Sequence, residues 1–273
     1  MVVLVTGARS GFGKLASVEL ARRGHTVYAG LRDPDTAGPL MEAASGLDVR
    51  PLGLDVTVPA QREAAVARIL DEHGAVDGLV NNAGIAIGGF LEQVSDEELR
   101  RLFDVNVFGV HALTRRVLPS MRARRSGAVV MVSSMSGRTA MPGLGAYASS
   151  KFALEGMSEA WRHELRPFGI RVVLIEPGPY QTDIFGRNRH EVDDDPDGPY
   201  HPFAARMRVK VAEAVDGAGD PQDVAVAIAE AVEGRRKRLR YPMGPNNRTR
   251  RLAQLLPFGV TEWAVGRVLG DAE

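Results

Sequence analysis

Residues 2–24 read VVLVTGARSGFGKLASVELARRG. Val2 to Val5 form a short apolar, largely β-branched run of the kind that makes a buried strand. The run stops at Thr6-Gly7, and Arg9, Ser10, Gly11, Phe12 and Gly13 follow in a loop. Leu15, Val18, Leu20 and Ala21 then recur at helical spacing, with Gly24 placed to end the helix. Strand, glycine-rich turn and helix, in that order, is the context a dinucleotide fingerprint requires. Glycines let the backbone come close to a pyrophosphate, and the positive end of the helix holds it.

The same alternation continues outward. HTVYAGL, residues 25–31, is a second strand ending at Arg32-Asp33. The acidic residue that would accept the adenosine ribose hydroxyls is replaced there, since Leu31 sits at the strand end and Arg32 follows. With Arg9 in the glycine-rich turn, Arg32 suits a 2′-phosphate better than a bare diol. NADP(H) is therefore the expected cofactor, ahead of NAD(H); the alternative is two solvated surface arginines. Gly53-Leu54-Asp55-Val56 ends a third strand, with Asp55 a candidate for the adenine edge. Thr57 and Pro59 open a helix running to about Glu72. VDGLVNNAG, residues 76–84, is a fourth strand whose end carries Asn81, Asn82, Ala83 and Gly84 at the crevice side of an open parallel sheet. The two amides could equally be turn formers.

Ser95-Asp96-Glu97-Glu98 reads as a capping box opening a long helix. Asn106 lies in mid-helix, where asparagine is a mediocre former and, if buried, needs partners. GAVVMV, residues 127–132, is a fifth strand. A hydroxyl, Ser133 or Ser134, leaves its end, a Gly/Pro-bearing loop follows, and a helix begins near Tyr147. Tyr147 and Lys151 are four apart, so a helix sets them on one face, one turn apart. A fixed ammonium beside a phenol favours the phenolate and makes the pair a proton-transfer device. Taken alone, Y-x-x-x-K is also an ordinary exposed helix pair. Ile170 to Ile175 is a sixth strand, followed by Glu176-Pro177-Gly178 and Thr182.

Beyond this point the composition changes. RNRHEVDDDPDGPYHP, residues 187–202, is polar and Pro/Gly-bearing and reads as a mobile loop, a substrate lid within about 185–215. Its acidic cluster with His190 and His201 has no fixed ligand geometry, so no metal is expected. Asp220-Pro221 caps a further helix to about Glu233. RRKRLR, residues 235–240, is the strong basic run; it reads as a solvated helix end leading into a last strand rather than a nucleic-acid site. The tail, about 250–273, is amphipathic and is expected to pack on the body or a partner.

Bulk properties narrow the class. The 273 residues carry 34 Lys+Arg against 34 Asp+Glu, a formal net charge of zero, so nothing in the balance calls for nucleic acid or an anionic membrane. The chain has no cysteine, which excludes disulfides and thiolate metal sites. No apolar run reaches the ~18 residues of a membrane span, and no signal segment is visible, so a cytoplasmic protein without stable membrane insertion is expected. Strands alternate with helices from Val2 to about Tyr241, which argues one parallel sheet covered on both faces.

Together these residues resemble the short-chain dehydrogenase/reductases, closely over Val2 to about Thr182. Thr6-Gly7-Ala8-Arg9-Ser10-Gly11-Phe12-Gly13 is similar to that family's T-G-x-x-x-G-x-G loop, Asn81-Asn82-Ala83-Gly84 to its N-N-A-G, and Tyr147 to Lys151 to its Y-x-x-x-K. Ser134, thirteen residues before Tyr147, stands at the family's usual serine offset, with Ser133 and Ser136 as alternatives. The resemblance implies a single-domain, Rossmann-type doubly wound sheet of about seven strands. It implies cofactor contacts from Thr6, Gly7, Arg9, Ser10, Gly11, Phe12, Gly13, Arg32, Asp55, Val56, Asn82, Ala83, Gly84, Tyr147, Lys151, Pro177, Gly178 and Thr182. It implies catalysis by Tyr147 as general acid/base, Ser134 as hydrogen-bond donor to the carbonyl oxygen, and Lys151 as the group that lowers the Tyr147 pKa and holds the nicotinamide ribose. Asn106 would organise a helix break and a relay water. VYAGLRD also looks like the steroid- and retinol-converting branch, which implies a lipophilic carbonyl or alcohol as the small-molecule substrate. A homodimer or homotetramer through the two long central helices is carried over from the same family. A non-catalytic NADP-sensing protein of this fold is the competing expectation.

Overall fold

The computed structural model describes residues 1–180, 189–191, 195–245 and 258–269. Seven strands form one sheet: β1 (Val2–Thr6), β2 (Thr26–Leu31), β3 (Val49–Gly53), β4 (Gly78–Asn81), β6 (Gly127–Val132), β7 (Ile170–Pro177) and β9 (Arg240–Met243). Their order is β3-β2-β1-β4-β6-β7-β9, and every pairing is parallel. The chain winds from β1 outward through β2 to β3, then returns to lay β4 on the other side of β1. Ligands of open parallel sheets bind at such a reversal, beyond the strands' carboxyl ends.

Alternation along the strands fills two cores. Val3, Val5, Val27, Ala29, Val80, Val130, Val173 and Ile175 pack one face against α1 (Gly11–Arg22) and α8 (Pro221–Val232). Leu4, Tyr28, Leu52, Leu79, Val129, Met131, Val172 and Leu174 point the other way. They meet α3 (Pro59–His73), α5 (Val110–Arg124) and α6 (Gly145–Leu165). A residue period of two in runs that are apolar throughout is what a sheet buried on both faces requires.

The long helix expected after the capping box is interrupted around Asn106, where the family resemblance implies a break. α4 (Asp96–Phe103) runs into a π-helical segment, Asp104–Gly109, before α5. The capping box is present, with Ser95 Oγ accepting from Glu98 N at 3.2 Å and Ser95 N donating to Glu98 Oε2 at 3.0 Å. A short helix α2 (Gly38–Ala43) follows β2.

The stretch expected to be a mobile loop contains order where it is described. β8 (Arg189–Glu191) pairs in parallel with β5 (Ala86–Gly88), and α7 (His201–Asp216) begins within it. A bridge between Tyr180 and Gly219 closes the base of this excursion. The C-terminal helix α9 (Phe258–Leu269) packs against α7 and exposes Trp263, with the Arg267 guanidinium 4.5 Å from its ring centroid. No helix among the described residues is long and apolar enough to cross a membrane.

Candidate active site

The ends of β1 and β4 are fastened to each other at the reversal. Thr6 Oγ1 donates to Val80 O at 3.3 Å and accepts from Asn82 N and Ala83 N at 3.0 and 2.9 Å. The Asn82 amide donates back to Thr6 O and Gly7 O at 2.9 and 3.1 Å. Gly7 has φ of 66°, the left-handed region in which a side chain is strained. At Gly13 an added β-carbon would lie 2.3 Å from Gly7 O. Thr6 and Gly13 therefore do not stand on the wall of the cleft, contrary to expectation; they hold its shape from behind. Asn81 also departs from the expected crevice position. Its amide turns into the core and donates to Thr114 Oγ1 at 3.0 Å, because strand alternation gives Asn81 and Asn82 opposite faces.

Above this seam lies a cavity of about 690 Å³. Gly7, Arg9, Ser10, Gly11 and Phe12 line one end, with Arg32, Asp55 and Val56 beside them. Asn82, Ala83 and Gly84 form the floor, and Ser134, Tyr147, Lys151, Pro177 and Gly178 close the other end. Ser10 is the N-cap of α1, yet its side chain makes no capping hydrogen bond. The first turn of α1 carries no acidic residue. That is a helix N-terminus left open to an anion. Neither Arg9 nor Arg32 has an ion-pair partner among the described residues. Asp55 spends one carboxylate oxygen on Thr57, accepting from its backbone N at 2.8 Å and its hydroxyl at 2.7 Å. The room, the glycine cradle and the free cations together fit an extended phosphate-bearing dinucleotide.

Several wall residues were not anticipated: Asp33, Thr36, Ile85, Arg101, Asp104, Val105 and Tyr180. Tyr180 was within reach of sequence reasoning, since it follows Pro177-Gly178 at a strand end, and its ring meets Phe12 edge-on at 5.3 Å. Thr182 lies outside the described residues.

At the far end, β6 delivers Ser134 and α6 delivers Tyr147 and Lys151, all three buried against the cavity. Ser134 Oγ accepts from Ser136 N at 3.1 Å and stands within hydrogen-bonding reach of the Tyr147 phenol. Lys151 Nζ donates to Val132 O at 3.0 Å and lies 5.7 Å from the Tyr147 ring centroid. The charge relation differs from expectation. Burial pushes the Tyr147 phenol up to about 12, with the Ser134 hydrogen bond working the other way. Burial takes Lys151 down to about 8, opposed by the charge of Glu155. The ammonium is held on a backbone carbonyl rather than against the phenolic oxygen, so desolvation outweighs the attraction the spacing suggested.

Asn106 is not on the cavity wall. Its Oδ1 accepts from Ile85 N, and its Nδ2 donates to Ile85 O and Ser150 Oγ, each at 3.0 Å. The expected helix break is present around it, and its amide ties the π segment to β5 and α6. Three cations of the basic run are taken up in intramolecular ion pairs. Arg235 pairs with Glu233, Arg236 with Glu230, and Arg240 with Glu155 and Glu159. Of the suggested acidic cluster, Asp193 and Asp194 lie outside the described residues.

A parallel sheet with an open helix N-terminus at its reversal, and a phenol, hydroxyl and amine at the other end of the same cleft, mark a nucleotide-binding α/β protein. The family model for short chain dehydrogenases matches residues 1–193, and the chain belongs to that family. It is 42% identical over 250 residues to the uncharacterized oxidoreductase YusZ of Bacillus subtilis, covering 89% of each chain. It is 35% identical to human 17-beta-hydroxysteroid dehydrogenase type 1, covering 88% of this chain and 76% of that one. The crystal structure of a short-chain dehydrogenase from Streptomyces avermitilis superposes with a TM-score of 0.83 at 37% identity, covering 96% and 95% of the two chains. Complexes with NAD and with NADP+ both occur among its structural relatives. The protein is thus an oxidoreductase of the short-chain dehydrogenase family with steroid-converting relatives.

Proposed function

We propose that the protein is an NADP(H)-dependent oxidoreductase interconverting a carbonyl and an alcohol on a lipophilic small molecule. The observation that carries this reading is the convergence of Ser134, Tyr147 and Lys151 on the same cavity as the glycine-rich loop. A bound nicotinamide dinucleotide supplies the hydride donor or acceptor. Tyr147, neutral at pH 7, gives its phenolic proton to the oxygen of the reduced carbonyl, or takes it in reverse. Ser134, oriented by the Ser136 N–H, donates to that oxygen. Lys151 holds the ribose hydroxyls and restores the proton to Tyr147. Asn106 keeps the π segment and Ile85 in place behind Lys151. Gly7, Gly11 and the α1 N-terminus take the pyrophosphate, and Arg9 and Arg32 take a 2′-phosphate. The human relative named for hydroxysteroids supports a lipophilic substrate, with the 185–215 region as its lid. The exposed Phe108 and Phe152, on the two central helical stretches, support a homo-oligomer.

Turnover by Tyr147→Phe across a panel of ketones, aldehydes and alcohols tests the assignment. The expected loss is roughly a hundred- to ten-thousand-fold, with NADPH affinity by fluorescence retained. Turnover within threefold of wild type would exclude Tyr147 as the acid/base, and NADPH binding without turnover in wild type would favour the sensor. Arg32→Ala is expected to weaken NADPH by about ten- to hundredfold and to leave NADH unaffected.

A further inference from the structure

Directly behind Ser134 and Lys151 lies a buried acidic pair that the reaction as described does not use. Glu155 is one turn beyond Lys151 on α6, and Glu176 is the penultimate residue of β7. Both are buried, Glu176 completely. A single guanidinium nitrogen serves them: Arg240 Nε, on β9, is 3.0 Å from Glu155 Oε2 and 3.2 Å from Glu176 Oε1. Its N–H is directed to Glu155, and another Arg240 nitrogen goes to Glu159 at 2.6 Å. The other facing cation, Arg138 from the turn after β6, comes no nearer than 4.0 Å to Glu176. Glu155 Oε1, both oxygens of Glu176 and the adjacent buried Ser133 Oγ have no hydrogen bond of good geometry, although Ser133 stands close enough to lower the Glu155 carboxyl and Glu155 close enough to raise that of Glu176.

Carboxylates are acceptors only, and buried acceptors without donors are costly. Two ionised carboxylates cannot satisfy each other; one carboxylic acid and one carboxylate can. We propose that Glu155 and Glu176 share one proton, and that this O–H···O bond positions the Ser133–Ser134 strand end and the Lys151 turn for the reaction. The connection is short. A β-carbon at Gly137 would sit 2.9 Å from both Glu155 Cγ and Ser133 Oγ and 3.1 Å from Lys151 O. The lack of a side chain there lets these groups meet. Lys151 Nζ is bonded to Val132 O, immediately before Ser133.

Burial and the neighbouring Glu155 charge push the Glu176 carboxyl up to about 7, and burial raises Glu155 as well. When the shared proton leaves, a second buried negative charge appears one turn from Lys151. It holds the ammonium back from the ribose, so turnover falls as pH rises through neutrality. Stability moves in the same direction. Between the ordinary carboxyl value of 4.5 and about 7 the folded state binds more protons than the unfolded one, so stability declines across that window as pH rises.

The positioning role rests on the proposed chemistry of Tyr147 and Lys151; the shared proton does not. The test compares wild type, Glu176→Gln and Glu176→Leu between pH 5 and 9, reading Tm and kcat. Glutamine keeps a donor toward Glu155 at every pH; leucine supplies none. Glu176→Gln is expected to abolish the decline of Tm across the window and the alkaline fall of kcat, about fivefold in wild type. Glu176→Leu is expected to lower kcat at every pH with the NADPH dissociation constant kept. Superimposable Tm profiles for wild type and Glu176→Gln would overturn the shared proton. Divergent Tm profiles with superimposable kcat profiles would overturn the positioning role. Should wild type turn over nothing while Glu176→Gln still flattens the Tm profile, the shared proton stands and the oxidoreductase chemistry assigned above is what fails.

Discussion

Gly13 and Gly156 both lie in helices, yet their environments give opposite expectations for the same substitution. A β-carbon at Gly13 would lie 2.3 Å from Gly7 O and 2.4 Å from Asn82 Nδ2. Neither neighbour can retreat freely. Gly7 is in the left-handed turn, and the Asn82 amide is bonded to two carbonyls of the β1 end. Gly13→Ala therefore forces α1 away from the β1–β4 seam and is expected to cost about 1–3 kcal/mol and to weaken NADPH more than it lowers Tm. At Gly156 nothing lies within 4 Å of the added carbon. Gly156→Ala relieves a mid-helix glycine and is expected to stabilise by about 0.5–1 kcal/mol. Chemical denaturation of the two variants checks both signs. The glycine pattern of residues 7–13 was visible in the sequence, but the split of labour within it was not. Gly7 and Gly11 face the cavity while Thr6 and Gly13 brace it, and a motif string carries no direction.

At the scale of elements, the π segment Asp104–Gly109 is the point where one continuous periodicity conceals a break. Leu99, Leu102, Phe103, Val107 and Val110 keep an apolar stripe through it, so hydrophobic spacing alone predicts an unbroken helix. One widened turn barely disturbs the stripe, and the weak helix preference of Asn106 marked the place without revealing its form. What sustains the segment is the amide of Asn106, which satisfies both backbone groups of Ile85 and reaches Ser150 on α6. Asn106→Ala leaves the half-buried Ile85 N–H and C=O without their amide partner at the cavity wall. At about 1–3 kcal/mol for an unsatisfied buried group, a stability loss in the lower part of that range is expected in urea unfolding. Turnover should fall further than cofactor affinity, since Gly84 and Lys151 adjoin the same amide. Ser95→Ala, by comparison, removes one exposed cap and is expected to cost about 1 kcal/mol with turnover unaffected.

For the molecule as a whole, the sheet and its crevice were legible because each main strand announces itself as an apolar run with a turn signal after it. The region between β7 and α8 was not. β5 and β8 are three residues each, too short for a periodicity, and their pairing joins segments about a hundred residues apart. Composition marked the excursion as a lid, but what ties it down is tertiary. The Tyr180–Gly219 bridge closes its base, β8 lies along β5, and Tyr200 stacks on Phe90 with centroids 4.6 Å apart and an interplanar angle of 17°. The Tyr200 hydroxyl also donates to Glu92 at 2.5 Å. This aromatic clasp joins the start of α7 to the segment after β5. Its contacts can open without disturbing either core, because Tyr200 belongs to neither hydrophobic cluster. Tyr200→Ala is therefore expected to raise the KM for the carbonyl substrate by about five- to tenfold, with the NADPH dissociation constant and the Tm kept near wild type. Tyr200→Phe, which retains the stacked ring and loses only the hydrogen bond to Glu92, is expected to recover most of that loss. Steady-state kinetics on both variants separate the two contacts, and an unchanged KM in Tyr200→Ala would mean that the clasp plays no part in holding substrate.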